Sequence, residues 1–388
     1  MVFDLPGNSW VGIWGTDWPD LAGKALLNHN DNYHYEVWQP DTRADRIYSH
    51  TFPGGVIHKM FPAVEKVYLK GLKKAKEAYS EMLLEQLEKK NPELIHLSSP
   101  VYRLNHEILR RLHDKPVIIQ YHSRPLIPWL EARRWRKNLP ANLFYLKINR
   151  DLMKMKKLFV IFNNRTNIHL LDKLKLTGKQ QLFMGCDFSY WTTGDRSEAR
   201  EYFKLDKNEI TLSMASRLNS LKQVDKLIIQ LRQITRKVKN PFRLLIAGHG
   251  NTEYISRLKT LVRQSSLEDV IRFTGFLDDE ELRMLYRASD LFLSCSIAEG
   301  GPVSVVKAMA CETGVFCTLV GGVDTVLDDL DAGILVGPKD YNTWGTLLAR
   351  FIENRLEVNK PSREKLMDIF DWKSIGEKYN QIYQTIMD

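Results

Sequence analysis

The residues best suited to chemistry form the short segment Glu299-Gly300-Gly301-Pro302, which lies between an apolar run and a helical pattern. A helix that begins after this segment presents unpaired backbone N–H groups and about half a positive charge, which together favour an anion. Gly300 and Gly301 have no side chain to keep a phosphate away from those groups. Glu299 could accept hydrogen bonds from sugar hydroxyls. The same spacing also fits a plain strand-to-helix turn, so the segment alone leaves both interpretations open.

The neighbouring residues predict the elements that hold this segment in place. Residues 290–294 are an apolar run of strand length, and apolar residues recur at helical spacing from Val303 to Cys311. Pro302 lies where a first helical position tolerates proline. A second strand is predicted over residues 314–320. Since a helix joins the two strands, we predict that they run parallel.

This stretch resembles the donor-site motif of the retaining family-four glycosyltransferases (glycosyl transferases group 1), which have two Rossmann-like domains in the GT-B fold. The family pattern matches residues 288–294, 299–302 and 308–311. The family has a second glutamate, separated from the first by seven residues, which usually holds the nucleotide ribose. Here that position is Lys307, which is a change of two charge units.

The resemblance implies where the donor would bind. Arg217 and Lys222 fall on the family's basic pair, and a guanidinium and an ammonium suit a leaving diphosphate whose charge they stabilise. Gly300 and Gly301 would add backbone donors to the diphosphate, and Glu299 would hold sugar hydroxyls. Further contacts with the nucleotide or the sugar are implied for Gly248, Phe276, Pro302, Val303 and Lys307.

Two candidates lie in the first half of the chain. Residues 116–123 have a buried-strand pattern that ends in polar side chains, and ligands in open α/β sheets bind outside such ends. Taken alone, His122 in this stretch fits a structural residue best. The corresponding histidine of the family contacts the donor sugar, so the resemblance makes His122 and Glu299 the candidate catalytic residues. Gly15, after a predicted first strand at 10–14, is a candidate loop residue of the acceptor domain.

Alternating strand and helix patterns predict an α/β fold with two doubly wound domains. By the resemblance, these are two Rossmann-like domains that face each other across a cleft (GT-B), with a C-terminal helix that crosses back to the first domain. We expect an acceptor-binding domain at residues 1–189, a nucleotide-sugar donor-binding domain at 190–369, and that helix at 370–388. Between Pro62 and Asn91, apolar residues at helical spacing predict one long charged helix.

The composition limits the class of protein. A chain of 388 residues is long enough for two domains, and its net charge of +9 favours an anionic partner. The four cysteines lack metal-ligand or CxxC spacing, which is typical of reduced thiols in the cytoplasm. The sequence has no signal-peptide pattern and no apolar run of about 20 residues, so we expect a cytoplasmic protein.

The stretch 129–157 is basic and aromatic, and it allows two interpretations. It fits a solvated helix face, and it equally fits a surface for anionic lipid headgroups, which would place the protein peripherally at the inner face of a membrane. No nucleic-acid-binding motif is present, so nucleic acid is not an expected partner.

The resemblance therefore predicts a retaining glycosyltransferase that moves a sugar from a nucleotide-sugar donor to a glycan or lipid-linked acceptor, in cell-surface polysaccharide or glycoconjugate synthesis. No metal or other cofactor is expected, because the helix dipole and the basic pair supply positive charge. Two alternatives stay open. Lys307 is compatible with a non-catalytic protein that binds sugar nucleotides. A sugar-nucleotide epimerase of the same fold would need acid and base groups, of which only His122 and Glu299 are obvious.

Overall fold

In the computed structural model, the chain forms two compact units. Unit 1 comprises Met1–Gly185 and Trp372–Asp388, and unit 2 comprises Cys186–Asp371. The expected divisions were after residues 189 and 369. The structure describes residues 2–3, 18–29, 33–52, 54–70, 73–98, 102–121, 147–148, 150–163, 172, 176–299, 301 and 303–388.

Over its described residues, unit 1 contains one large sheet and a separate hairpin. The strands are β1 (Val2–Phe3), β2 (Glu36–Asp41), β3 (Tyr48–Thr51), β4 (Ile57–Pro62), β5 (Val64–Lys70), β6 (Lys73–Tyr79), β7 (Ile95–Leu97), β8 (Val117–Tyr121), β9 (Leu158–Phe162) and β10 (Gly178–Gln181). The large sheet has the order β10-β9-β8-β7-β1-β2-β4-β3. Its neighbouring strands run parallel, except that β3 is antiparallel to β4. The strand predicted at 10–14 lies outside the described residues.

Unit 2 contains a parallel sheet over its described residues. Its strands are β11 (Ile210–Ala215), β12 (Phe242–Ala247), β13 (Ile271–Gly275), β14 (Leu291–Ser294), β15 (Gly314–Thr318) and β16 (Ile334–Val336). Their order is β13-β12-β11-β14-β15-β16, so the direction of strand addition reverses between β11 and β14. The strands predicted around residues 290–294 and 314–320 are confirmed, and they run parallel.

The helices surround these sheets. Among its described residues, unit 1 contains α1 (Trp18–Leu27), α2 (Glu81–Lys90), α3 (Arg103–Arg111) and α12 (Trp372–Met387), and residues 147–148 and 150–152 are also helical. The helices of unit 2 are α4 (Arg196–Tyr202), α5 (Val224–Ile234), α6 (Thr252–Gln264), α7 (Asp279–Ala288), α8 (Val303–Ala310), α9 (Val323–Leu330), α10 (Tyr341–Ile352) and α11 (Arg363–Phe370). The helix predicted after Pro302 is therefore α8. Alternating strands and helices in each unit confirm the predicted α/β class.

The central strands β7, β8 and β9 of the large sheet are buried on both faces, and their successive side chains point to opposite sides. Ile119 packs in one apolar cluster with residues of α2 and α3. Ile118 packs in another with residues of α1 and α12. Near-continuous apolar runs such as β9 are typical of parallel strands with two covered faces.

The C-terminal helix packs on unit 1, as predicted. Tyr379 donates a hydrogen bond of 2.8 Å to Gln120 Oε1 in β8. The hydroxyl of Tyr383 lies 2.8 Å from Nδ1 of His96 in β7. These polar contacts are buried, so they fix α12 at one position over the sheet.

The predicted helix between Pro62 and Asn91 is wrong over most of its length. Strands β5 and β6 form an antiparallel hairpin there, with Lys66 opposite Glu77. Lys76 Nζ of β6 lies 2.7 Å from Glu65 Oε1 of β5. Cross-strand charge pairs stabilise a hairpin, and helical spacing of apolar residues does not reveal them. A helix begins only at α2, where Ser80 Oγ accepts a hydrogen bond from the Leu83 N–H.

The four cysteines are buried free thiols. Burial raises the pKa of Cys186 to about 12, of Cys295 to about 12 and of Cys311 to about 11. These groups stay protonated near neutral pH, and a protonated thiol is a poor nucleophile.

A buried charge cluster holds the start of β2. The Glu36 side chain is 3% exposed, and its carboxylate accepts hydrogen bonds from Lys90 Nζ at 2.7 Å, Trp38 Nε1 at 2.6 Å and Lys59 Nζ at 3.2 Å. Burial alone would raise the pKa of this carboxyl. The hydrogen bonds from Lys90, His34, Trp38 and Lys59 outweigh burial and lower the pKa to about 2.

We expect Glu36→Gln to lower the free energy of unfolding by about 2 kcal/mol at pH 7, because charged hydrogen bonds are lost. The pKa is lower in the folded chain, so the contribution of Glu36 is complete above pH 4.5 and disappears as the pH falls towards 2. In urea unfolding, the free energies of unfolding of the wild type and of Glu36→Gln should therefore converge at acid pH. The control, exposed Glu85→Gln in α2, should change stability by less than about 0.5 kcal/mol. Equal losses in both variants would contradict the role of Glu36.

Candidate functional site

The candidate site of unit 2 lies where β11 and β14 end. The two strands are parallel neighbours, with Leu212 paired to Leu291, so both chains leave the sheet at the same edge. The strand order reverses between them. In open α/β sheets, ligands bind in the crevice that such a reversal creates outside the carboxyl ends of the strands.

The loops after β11 and β14 contact each other. The Ile297 N–H donates a 2.9 Å hydrogen bond to the Leu221 carbonyl. One residue further, Lys222 Nζ lies 2.5 Å from Glu299 Oε1, and the two side chains are 18% and 17% exposed. The structure thus brings together two predicted site residues, Lys222 and Glu299, that are 77 positions apart in sequence.

Glu299 retains capacity to bind hydroxyl groups. Its Oε1 accepts hydrogen bonds from both Lys222 and Ser296. Within the described part of the chain, Oε2 has no hydrogen-bond partner. Gly321 lies against Glu299, since a Cβ at this glycine would be 2.4 Å from Glu299 Cβ. The loop after β15 therefore supports the glutamate, and one carboxylate oxygen is left for a ligand.

Arg217 follows β11 and is exposed. Its guanidinium has no ion-pair or hydrogen-bond partner among the residues that the structure describes. The backbone beside it is fixed, because the Leu218 N–H donates a 2.8 Å hydrogen bond to the His249 carbonyl. A cation on a fixed backbone, without a partner among those residues, is suited to bind an anion.

Gly248 allows the loops after β11 and β12 to approach closely. Its φ is +130°, and a Cβ there would lie 1.9 Å from the Ser216 carbonyl oxygen. Any side chain at 248 would push away the backbone that precedes Arg217. We predicted Gly248 as a contact of the nucleotide or the sugar. That contact stays a prediction, and the close approach of Gly248 to the backbone before Arg217 is visible only in the structure.

Phe276 lies after β13, at the same edge of the sheet. Its side chain is 62% exposed, and its ring packs edge-on against His249, with ring centroids 5.6 Å apart. The exposed ring of Phe276 offers a flat face on which a planar base can stack. His249 was not predicted as a site residue, although it lies between the two glycines of the turn after β12.

Lys307 of α8 is 23% exposed and interacts with two residues that the sequence did not indicate. Its Nζ lies 4.0 Å from the centroid of the Trp191 ring and 3.4 Å from Asp279 Oδ1. Both an aromatic face and a carboxylate stabilise an ammonium group. The positive charge of Lys307 is thus compensated locally, and none of its described contacts is with Glu299.

The remaining predicted site residues are divided between described and undescribed positions. Val303 is the first residue of α8, and Gly301 precedes it. Four of the predicted site residues lie outside the described residues: Gly15, His122, Gly300 and Pro302.

Comparison with known proteins finds a family model that matches part of the chain. Residues 195–367 match the model of the family Glycosyl transferases group 1. A D-inositol 3-phosphate glycosyltransferase of Saccharomonospora viridis is 27% identical over 212 residues, which are 52% of this chain and 49% of that protein. An uncharacterized glycosyltransferase of Methanocaldococcus jannaschii is 27% identical over 199 residues, which are 50% of this chain and 49% of that protein. The chain spans about half the length of the curated relatives it matches.

Solved structures are similar over nearly the whole chain. Sucrose-phosphate synthase from Thermosynechococcus elongatus has a TM-score of 0.73 at 19% identity, and the match covers 99% of this chain and 97% of that chain. Anabaena HepE, in complex with UDP and glucose, has a TM-score of 0.71 at 16% identity, and the match covers 99% of this chain and 98% of that chain. At these identities the likeness concerns the fold. The family model thus matches residues 195–367, and the chain as a whole has the two-domain GT-B fold.

Proposed function

We propose that this chain is a glycosyltransferase whose unit 2 binds a nucleotide-sugar donor. The observation that supports this most directly is the contact between Lys222 and Glu299 at the strand-order reversal, with Arg217 beside it. In a nucleotide sugar, the sugar is bonded directly to the diphosphate. A protein that binds both must place a cation and a hydroxyl acceptor next to each other, as these side chains are placed.

The order of the candidate residues along the sheet edge supports the same donor. Phe276 follows β13, Gly248 follows β12, Arg217 and Lys222 follow β11, and Glu299 follows β14. Neighbouring strands are about 4.8 Å apart, so the edge from β13 to β14 spans about 14 Å. Along this edge, an aromatic surface, two cations and a carboxylate thus follow one another in the same order as the base, the diphosphate and the sugar of the donor.

Lys222 and Arg217 would stabilise the charge that develops on the leaving diphosphate as its bond to the sugar breaks. Two cations supply this charge without a metal ion, so we propose a metal-independent reaction. Glu299 would hold sugar hydroxyls through Oε2. Retention of the anomeric configuration, and a glycan or lipid-linked acceptor in cell-surface polysaccharide or glycoconjugate synthesis, are proposed from the resemblance to family-four enzymes.

The donor site is tested by thermal shift with UDP-, GDP-, ADP-, CMP- and dTDP-sugars. A ligand at 100 times its Kd should stabilise the protein by about 2.7 kcal/mol. Lys222→Ala and Arg217→Ala should each raise the Kd of the bound sugar nucleotide about 10- to 100-fold, because a charge-assisted hydrogen bond contributes about 1.5–3 kcal/mol.

Lys226→Ala is the matched control, since Lys226 lies one turn further along, is 43% exposed and pairs with Asp225. Its Kd should change less than about 2-fold, as expected for an exposed pair. Unchanged affinity in both the Lys222 and Arg217 variants would refute this donor site.

A non-catalytic sugar-nucleotide-binding protein is the second candidate, and Lys307 is the residue that favours it. Since Lys307 contacts Trp191 and Asp279, we expect Lys307→Met to lower stability by about 1 kcal/mol. The Kd for the sugar nucleotide should change less than about 3-fold in calorimetry. A 10-fold rise in Kd would instead indicate that Lys307 reaches the nucleotide. Release of free sugar from the donor by the wild type would exclude the non-catalytic alternative.

Peripheral contact with an anionic membrane is proposed from the basic stretch 129–157, of which 147–148 and 150–157 are described. Lys147, Arg150 and Lys154 are exposed there, while Ile148 and Leu152 are buried. One side of this segment therefore faces the core of unit 1, and the other presents positive charge. Among the described residues, no helix is long and apolar enough to cross a membrane.

We expect binding to phosphatidylserine-containing vesicles and not to pure phosphatidylcholine vesicles, measured by co-sedimentation. Each basic residue contributes about 1 kcal/mol near such a surface, so Lys147→Glu with Lys154→Glu should weaken binding at least 10-fold. High salt should abolish it, because salt screens exposed charges. Lys226→Glu in unit 2 is the control. Equal binding to both kinds of vesicle would contradict an electrostatic surface.

A further inference from the structure

Gln223, directly after Lys222, has an unusual backbone conformation for its residue type. Its φ and ψ are 51° and 32°, in the left-handed region that favours glycine. The residue is 4% exposed and ends a 3-10 turn (Ser220–Lys222) just before α5. A non-glycine residue in this conformation costs free energy, and such residues persist only where surrounding interactions hold them.

The side chain of Gln223 makes the interactions that hold it. Its Nε2 donates hydrogen bonds to the Cys295 carbonyl at 2.9 Å and to the Pro338 carbonyl at 2.8 Å. Two carbonyl oxygens can only accept, so the NH2 group must face them and the orientation of the amide is settled. Its Oε1 then accepts a 2.7 Å hydrogen bond from the Tyr341 hydroxyl.

The three partners come from separate parts of unit 2. Cys295 follows β14, Pro338 follows β16, and Tyr341 begins α10. The Tyr341 ring packs edge-on against Trp344, a fully buried residue of the main core. Through its side chain, Gln223 therefore ties the loop after β11 to the loop after β14 and to the core.

Lys222 depends on this arrangement. Its Nζ contacts Glu299, while its own N–H donates to the Asn219 carbonyl at 3.1 Å. Without Gln223, the described contacts between the two loops at this point are the Lys222–Glu299 pair and the Leu221–Ile297 backbone hydrogen bond. The Lys222 ammonium would then be free to move with a diphosphate away from Glu299, or to be pulled away from the diphosphate.

We infer that Gln223 is a positioning residue that fixes Lys222, relative to Glu299, for the diphosphate of the donor. This inference rests on the proposed donor site. Glycine at 223 would adopt the same backbone conformation without steric strain, but it would lose all three side-chain hydrogen bonds. Tyr341 completes this arrangement, because its hydroxyl donates to Gln223 Oε1 and so orients the amide from the side of the core.

The test is a double-mutant cycle on the affinity for UDP and GDP, measured by calorimetry with the full chain. Gln223→Gly should raise the Kd about 10-fold in the wild-type background and less than 2-fold in the Lys222→Ala background, because it acts through Lys222. The melting temperature of Gln223→Gly should fall, because relief of the backbone strain offsets only part of the loss of three buried hydrogen bonds, and the comparison with the Lys222→Ala background controls for this general loss. Gln223→Glu should also weaken binding, because a carboxylate cannot donate to the two carbonyls.

The outcomes separate the inference from the proposed function. If Lys222→Ala weakens binding while Gln223→Gly does not, the positioning role is wrong and the donor site stands. If Gln223→Gly weakens binding equally in both backgrounds, its effect is structural and independent of Lys222, which also overturns the inference. If the wild type binds neither UDP nor GDP, the donor site and the positioning role fall together for these nucleotides.

Discussion

The parallel pairing of β11 with β14 is the constraint on which the candidate site depends. Because the two strands leave the sheet at the same edge, their loops must lie side by side. Lys222 of one loop therefore contacts Glu299 of the other. Helices that follow the two strands cannot both fill the space above the edge where the strand order reverses. The crevice is thus a consequence of topology, and the side chains only determine what it binds.

Charge compensation differs between the two lysines of this region. Lys222 and Glu299 are each less than one-fifth exposed, so separating them would leave a partly desolvated charge on both sides. Lys307 instead pairs with Asp279, which is 61% exposed, and its second partner is an aromatic face. The first pair is therefore costly to disturb unless another charge replaces the lost partner. A diphosphate could act as that replacement, whereas the environment of Lys307 needs none.

The parts of the molecule that the sequence predicts are those determined locally. Strands around 290–294 and 314–320 follow from continuous apolar runs, and Lys222 and Glu299 were implied by the resemblance to the motifs of family-four glycosyltransferases. The contacts of Gln223 and Lys307 were not predictable, because their partners are 28 to 118 residues away and share no pattern with them. The hairpin at 64–79 was missed because its apolar residues also fit a helix. No described residue tests the predictions for His122 and Gly15.

The return of α12 to unit 1 has a consequence for synthesis on the ribosome. Unit 2 is one continuous segment, whereas unit 1 is assembled from two segments that flank it. Ile375, Tyr379 and Ile382 of α12 cover apolar residues of unit 1, yet they are translated after the whole of unit 2. All residues of unit 2 are translated before α12, so unit 2 can fold while one face of the large sheet of unit 1 is not yet covered by α12. That face stays exposed to water until α12 emerges from the ribosome.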